Sequence, residues 1–216
     1  MFERLLMRRE VELIEDIARF MEVKHRDQKA HDYAHVLAVV NYAIRIATAI
    51  PDEADPFVLI CGAFFHDIGW IGTITGVMHG LRGATVADEY LASTWVPADA
   101  RRRIKGVIVR HSITSGLWPE TVEEKIVWDA DGLAGLGLLG MLRGIIGGAG
   151  SMEEIIEACL RFAGKHFDRL YFDESRRLGQ ELHAETEQVI TRFEAALALR
   201  KEHIADLQLP VMRPRQ

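Results

Sequence analysis

Nine histidines are spread through 216 residues, and their settings separate those that could do chemistry from those that could not. His66-Asp67 follows a nearly uncharged run, Phe57-Val58-Leu59-Ile60-Cys61-Gly62-Ala63-Phe64-Phe65. A helix that apolar must be buried, so an imidazole and a carboxylate arrive together where each needs a partner. Left unpaired, such groups cost on the order of several kcal/mol. A hydrogen-bonded His-Asp pair would meet the need, and so would a divalent cation, because borderline and hard ions take mixed nitrogen and oxygen ligands. Gly69 can then turn the chain away from the site.

A second carboxylate pair, Asp129 and Asp131, emerges from the apolar Ile126-Val127-Trp128. Two helical residues are separated by about 200°, so one of them faces a site while the other caps or supports. For Asp129 a capping role is at least as good a reading as a ligand role. His31 and His35 stand four apart and would share one helical face if the helix covered both. Asp32 between them is a natural N-cap, which starts the helix there and leaves His35 the better-placed ligand. Taken alone, such an HxxxH pair is more often polar decoration than a metal site.

In order, His35, His66-Asp67 and Asp131 resemble the H…HD…D signature of the HD superfamily of metal-dependent phosphohydrolases. The local texture is similar too, in His31-Asp32-Tyr33-Ala34-His35-Val36, Phe64-Phe65-His66-Asp67-Ile68-Gly69 and Asp129-Ala130-Asp131-Gly132-Leu133. Two positions depart from it: many relatives carry arginine where this chain has Ala38 and Gly132. Neither change removes a ligand, but each removes a cation that could touch phosphate.

The resemblance implies an all-α fold, a single HD-type helical bundle, and hydrolysis of a phosphoester in a nucleotide or other small phosphorylated metabolite. It implies a divalent metal held by His35, His66, Asp67 and Asp131, with Mn, Fe, Co, Ni, Mg and Zn not distinguished. One ion is expected and two remain open. Such an ion lowers the pKa of bound water and stabilises transition-state charge, and Asp67 could orient the nucleophile. His79 and His111 fall in the interval where the dinuclear branch of the superfamily places two extra ligands. Phosphate-binding or general-acid roles are favoured for them, with a second metal close behind and plain structural histidines as the third reading. Arg82 and Arg110, beside those histidines, could clamp phosphate oxygens bidentately, while Lys105 reads as solvated. Two rivals stay in view: a di-iron oxygenase on the same scaffold, which needs both extra histidines as ligands, and a nucleotide-binding sensor without turnover.

The elements that must position these groups read as helices throughout. Leu5/Leu6, Val11, Leu13/Ile14, Ile17 and Phe20/Met21 recur at helical spacing, and Asp32 opens a second helix that Pro51 stops. Further helices are expected from about Glu53 to Phe65, and over Gly80–Ala92, Ala98–Arg110, Glu120–Trp128 and Glu174–Arg200. Residues 131–146 form a glycine-studded apolar stretch, and Gly147–Gly150 reads as a hinge. The chain is expected to form one domain over 1–208, with the motif core at about 25–145, a C-terminal helical extension at 151–208 and a flexible tail at 209–216. His25, His166, His183 and His203 read as surface residues, and the four tryptophans read as core.

Composition narrows the classes. With 49% apolar and 27% charged residues the chain is ordinary for a globular protein, and its net charge of −6 lacks the basic footprint that binds polymeric nucleic acid. Two cysteines in apolar stretches form neither a disulfide framework nor a metal knuckle, which points to the cytoplasm. The longest apolar run is about half a membrane span. The expected partner is a small phosphorylated substrate, with neither membrane nor polymeric nucleic acid; a homodimer face would look like any exposed helical face and stays open.

Overall fold

The computed structural model describes residues 1–73 and 76–211, with side chains described except at 160–166 and 207–211. Among the described residues there is no strand, only an isolated bridge between Phe2 and Ala54. The helices are α1 (Arg8–His25), α2 (Tyr33–Ala49), α3 (Pro56–Phe65), α4 (His79–Ala92), α5 (Ala98–Arg110), α6 (Val122–Ala134), α7 (Gly137–Gly147), α8 (Met152–Phe167) and α9 (Asp173–Val211).

α3 is the central helix, and all ten of its residues are buried. Each large apolar side chain removed from water contributes roughly 1.5–3 kcal/mol, so the end of α3 is among the best-anchored points in the chain. It begins at Pro56 rather than Glu53, because Asp55 is the cap and accepts from the amides of Phe57 (2.9 Å) and Val58 (3.2 Å). Arg4 and Arg103 pair with the same carboxylate. α2 and α6 pack on one another and on α3, while α4 and α5 form a hairpin on its other side.

α7, α8 and α9 pack together as a second layer, with Met141, Cys159 and Ile190 in a small core of their own. This layer is tied to the first by Asp129, which is fully buried and accepts from the amides of Tyr171 (2.8 Å) and Phe172 (3.0 Å). The N-terminus of α7 is held by α9, where Thr186 Oγ1 accepts from Gly137 N at 2.7 Å. α9 runs on past the expected Arg200 to Val211, so the first residues of the expected tail are helical; 212–216 lie outside the described residues. Among the described residues no single helix is long and apolar enough to cross a membrane.

Candidate metal centre

Five helix ends converge on Asp67. His66 and Asp67 leave the buried end of α3, His35 sits in the first turn of α2, His79 opens α4, His111 closes α5, and Asp131 projects from the last turn of α6. Asp32 caps α2 by accepting from His35 N at 2.9 Å, so the helix starts between the two histidines, as the sequence indicates. Gly69 is required just past the ligand pair: a Cβ there would lie 1.9 Å from the His79 carbonyl oxygen. Only glycine lets this turn pass against the start of α4.

The two oxygens of Asp67 face different histidines. Oδ2 lies 3.2 Å from His66 Nε2, 3.3 Å from His35 Nε2 and 2.6 Å from His31 Nδ1. Oδ1 lies 3.5 Å from both His79 Nε2 and His111 Nε2. Asp131 Oδ1 is 3.3 Å from His35 Nε2. His35, His66 and Asp131, and likewise Asp67, His79 and His111, each present ligand atoms that all lie within 4.8 Å of one another.

Ring orientation gives an independent test of whether these residues suit a cation. His79 Nδ1 is 2.8 Å from the Gly76 carbonyl and His111 Nδ1 is 2.7 Å from the Ile108 carbonyl. Each Nδ1 must therefore carry the proton, which leaves a lone pair on each Nε2. Those two nitrogens stand 3.0 Å apart. Burial, with the neighbouring His111 adding to it, pushes the His79 imidazole down to about 4, so a shared proton does not hold the pair together at neutral pH. A cation held by these two nitrogens and Asp67 would remove the repulsion. His66 is oriented in the same way, with Nδ1 donating to the Ala63 carbonyl at 2.7 Å and Nε2 3.2 Å from that of His35. Backbone carbonyls fixing the tautomer of metal-binding histidines are a recurrent support for such sites.

The carboxylates are held ionised. Burial alone would raise Asp67, yet the surrounding imidazoles of His66 and His31, with the hydrogen bond from His31 Nδ1, hold it well below the usual carboxylate range. At Asp131 burial is likewise outweighed, there by the hydrogen bond and charge of His35. At Asp129 burial wins and pushes the carboxyl up to about 6. The two aspartates thus divide as two residues about 200° apart must, one facing the centre and one capping the approach to α9.

Two expected phosphate clamps are engaged elsewhere. Arg82 Nε donates to the Gly69 carbonyl (3.1 Å) and one of its terminal nitrogens to the Val77 carbonyl (2.6 Å), pinning the loop before α4. Arg110 donates to the Trp118 carbonyl and pairs with Glu120 at 2.9 Å. Lys105 pairs with Asp88 at 3.0 Å. His31 contributes more than its spacing implied, since it contacts Asp67 and stacks on Trp70 with ring centroids 4.2 Å apart. His25, expected at the surface, is fully buried, with Nδ1 against the His31 carbonyl. His183 is half-buried against Phe167, and the side chain of His166 lies outside the described residues. Of the four tryptophans only Trp128 is buried, while Trp95 and Trp118 are exposed.

Residues 32–136 match the HD domain family. A protein from Lactobacillus plantarum has the same fold with a TM-score of 0.73 at 17% identity, over 90% of this chain and 100% of its own. Bacillus subtilis YpgQ, in a structure with ADP, gives 0.67 at 20% identity over 87% and 96%. An HD-superfamily hydrolase from Bacillus thuringiensis gives 0.63 at 18% identity over 88% and 98%. At these identities the likeness is one of fold. No curated protein sequence matches the chain.

Proposed function

Because the chain is an HD domain protein, we propose that it hydrolyses a phosphoester in a nucleotide or another small phosphorylated metabolite at a centre of two divalent cations. His35, His66, Asp67 and Asp131 would hold one, and Asp67, His79 and His111 the other, with Asp67 bridging. The observation that carries this reading is the pair of Nε2 lone pairs opposed at 3.0 Å beside Asp67 Oδ1. It favours a ligand role for His79 and His111 over contact with phosphate. The ADP bound by YpgQ supports a nucleotide as the substrate.

When bound, such ions acidify water and neutralise charge on phosphoryl oxygens. The chain's own residues supply the rest. Asp67 and Asp131 stay ionised through their histidine neighbours and offset the positive charge of the centre. The backbone carbonyls of Ala63, Gly76 and Ile108 hold three imidazoles with Nε2 inward. His31 commits its Nδ1 proton to Asp67, which fixes that carboxylate's orientation. Arg82 keeps the loop carrying the Gly76 carbonyl in place.

Phosphate release from a nucleotide panel, with each divalent metal in turn and with chelator, tests the reading. Metal-dependent release supports it, and none under any metal overturns it. The oxygenase reading draws on the same six ligands, so dioxygen uptake by iron-loaded protein without phosphate release would replace hydrolysis with that chemistry.

A further inference from the structure

A cavity of about 310 Å³ opens beside the centre and shares His31 and Trp70 with it. Ala30 and Gly135 also line it, and most of the remaining wall comes from beyond residue 136, including Gly140, Met141, Arg143 and Gly144 on α7 and Ala158 and Cys159 on α8. Apart from Arg143 these walls are small, apolar or sulfur-bearing, and the stacked His31 and Trp70 rings, tilted only 17° from one another, add a flat face. Such a lining suits a planar uncharged ring. The volume lies at the low end of ligand cavities, roughly 300–1,000 Å³, which fits one base rather than a dinucleotide. α7 and α8 are fixed against α9 by their own core, so the cavity is built before a ligand arrives.

Charge points the same way. Arg82 and Arg110 are engaged by loop carbonyls and by Glu120. Arg143 is half-buried on the cavity lining, and no hydrogen bond or ion pair joins it to another described residue. A half-buried guanidinium beside a phosphohydrolase centre gains most from an anionic ligand.

We propose that this cavity seats the aromatic base of the substrate and that Arg143 is a substrate-binding residue, contacting phosphate next to that base. The assignment rests on the hydrolase reading for its context but is tested apart from it. Substrate choice then lies largely in α7 and α8, beyond the segment that matches the HD family.

The experiment is equilibrium binding, in chelator, of adenosine 5′-monophosphate, ribose 5-phosphate and adenosine, followed by calorimetry. Wild type should bind the nucleotide at least tenfold more tightly than either fragment. Ala158→Phe, which fills the cavity from an exposed position of α8, should abolish the preference over ribose 5-phosphate. Arg143→Gln should abolish the preference over adenosine. Ala158→Leu replaces the larger variant if its melting temperature falls. Equal binding of nucleotide and ribose 5-phosphate, no nucleotide binding, or wild-type preferences in both variants would overturn the proposal. Preferences that behave as expected in a protein that releases no phosphate with any metal would leave the cavity assigned and remove the hydrolase reading. Phosphate release without those preferences would do the reverse.

Discussion

The His35–His66 pair and the His79–His111 pair are nearly alike in geometry and unlike in company. Their Nε2 atoms stand 3.2 Å and 3.0 Å apart, and each pair meets one oxygen of Asp67. The first pair also has Asp131, whose oxygen lies 3.3 Å from His35; the second has no carboxylate of its own among the described residues. Asp131 together with half of the shared Asp67 offsets more of a cation's charge than half of Asp67 alone, so the first position should bind more tightly. Asp67 alone joins the two, and the account places the chemistry between them.

Removing that joint should have the largest effect. Asp67→Ala is expected to lose at least a thousandfold in turnover while remaining folded by circular dichroism; turnover within tenfold of wild type would break the comparison at its centre. Next come the two pairs themselves. With metal in excess, His66→Ala should fall to background, whereas His111→Ala should lose about a hundredfold and recover part of it as metal is raised, because only the weaker position is damaged. Equal, unrecoverable loss in both would erase the ranking.

A smaller effect lies in the pH dependence of the metal-free protein. His79 titrates at about 4 in the folded state, below the roughly 6.5 of an unfolded chain. The unfolded state therefore binds more protons between these values. The stability His79 contributes is complete above about 6.5 and is lost as pH falls through about 4, a change of up to about 3 kcal/mol. Thermal melts of His79→Gln should show a shallower slope across that window, and an unchanged slope would assign the loss to other groups. Smallest is Asp129→Ala, which strips the acceptor from the amides of Tyr171 and Phe172. It should cost about 2 kcal/mol in denaturant titration while leaving metal content unaltered, since Asp129 supports the second layer rather than the centre.

What could be read from the sequence was what is local. Ala98–Arg110 is helical at both expected ends, because Pro97 and the Ile104/Val107/Ile108 stripe act within the segment. The family motifs pointed to His35, His66, Asp67 and Asp131, which the fold brings into one cluster, and helical geometry alone separates the directions of Asp129 and Asp131. The rest depends on contacts across long separations. His31 reaches Asp67 across 36 residues, and His25 is buried by neighbours that no periodicity reveals. Arg82 and Arg110 looked available because a sequence shows a cation but not the loop carbonyls that engage it. Arg143 drew no attention because the cavity that surrounds it is assembled only when α7 and α8 pack.

Elemental analysis of metal-reconstituted protein beside His111→Ala decides whether Asp67 joins two cations. Two equivalents are expected in the wild type and one in the variant. One equivalent in both would contradict that bridging role, returning His79 and His111 to contact with substrate.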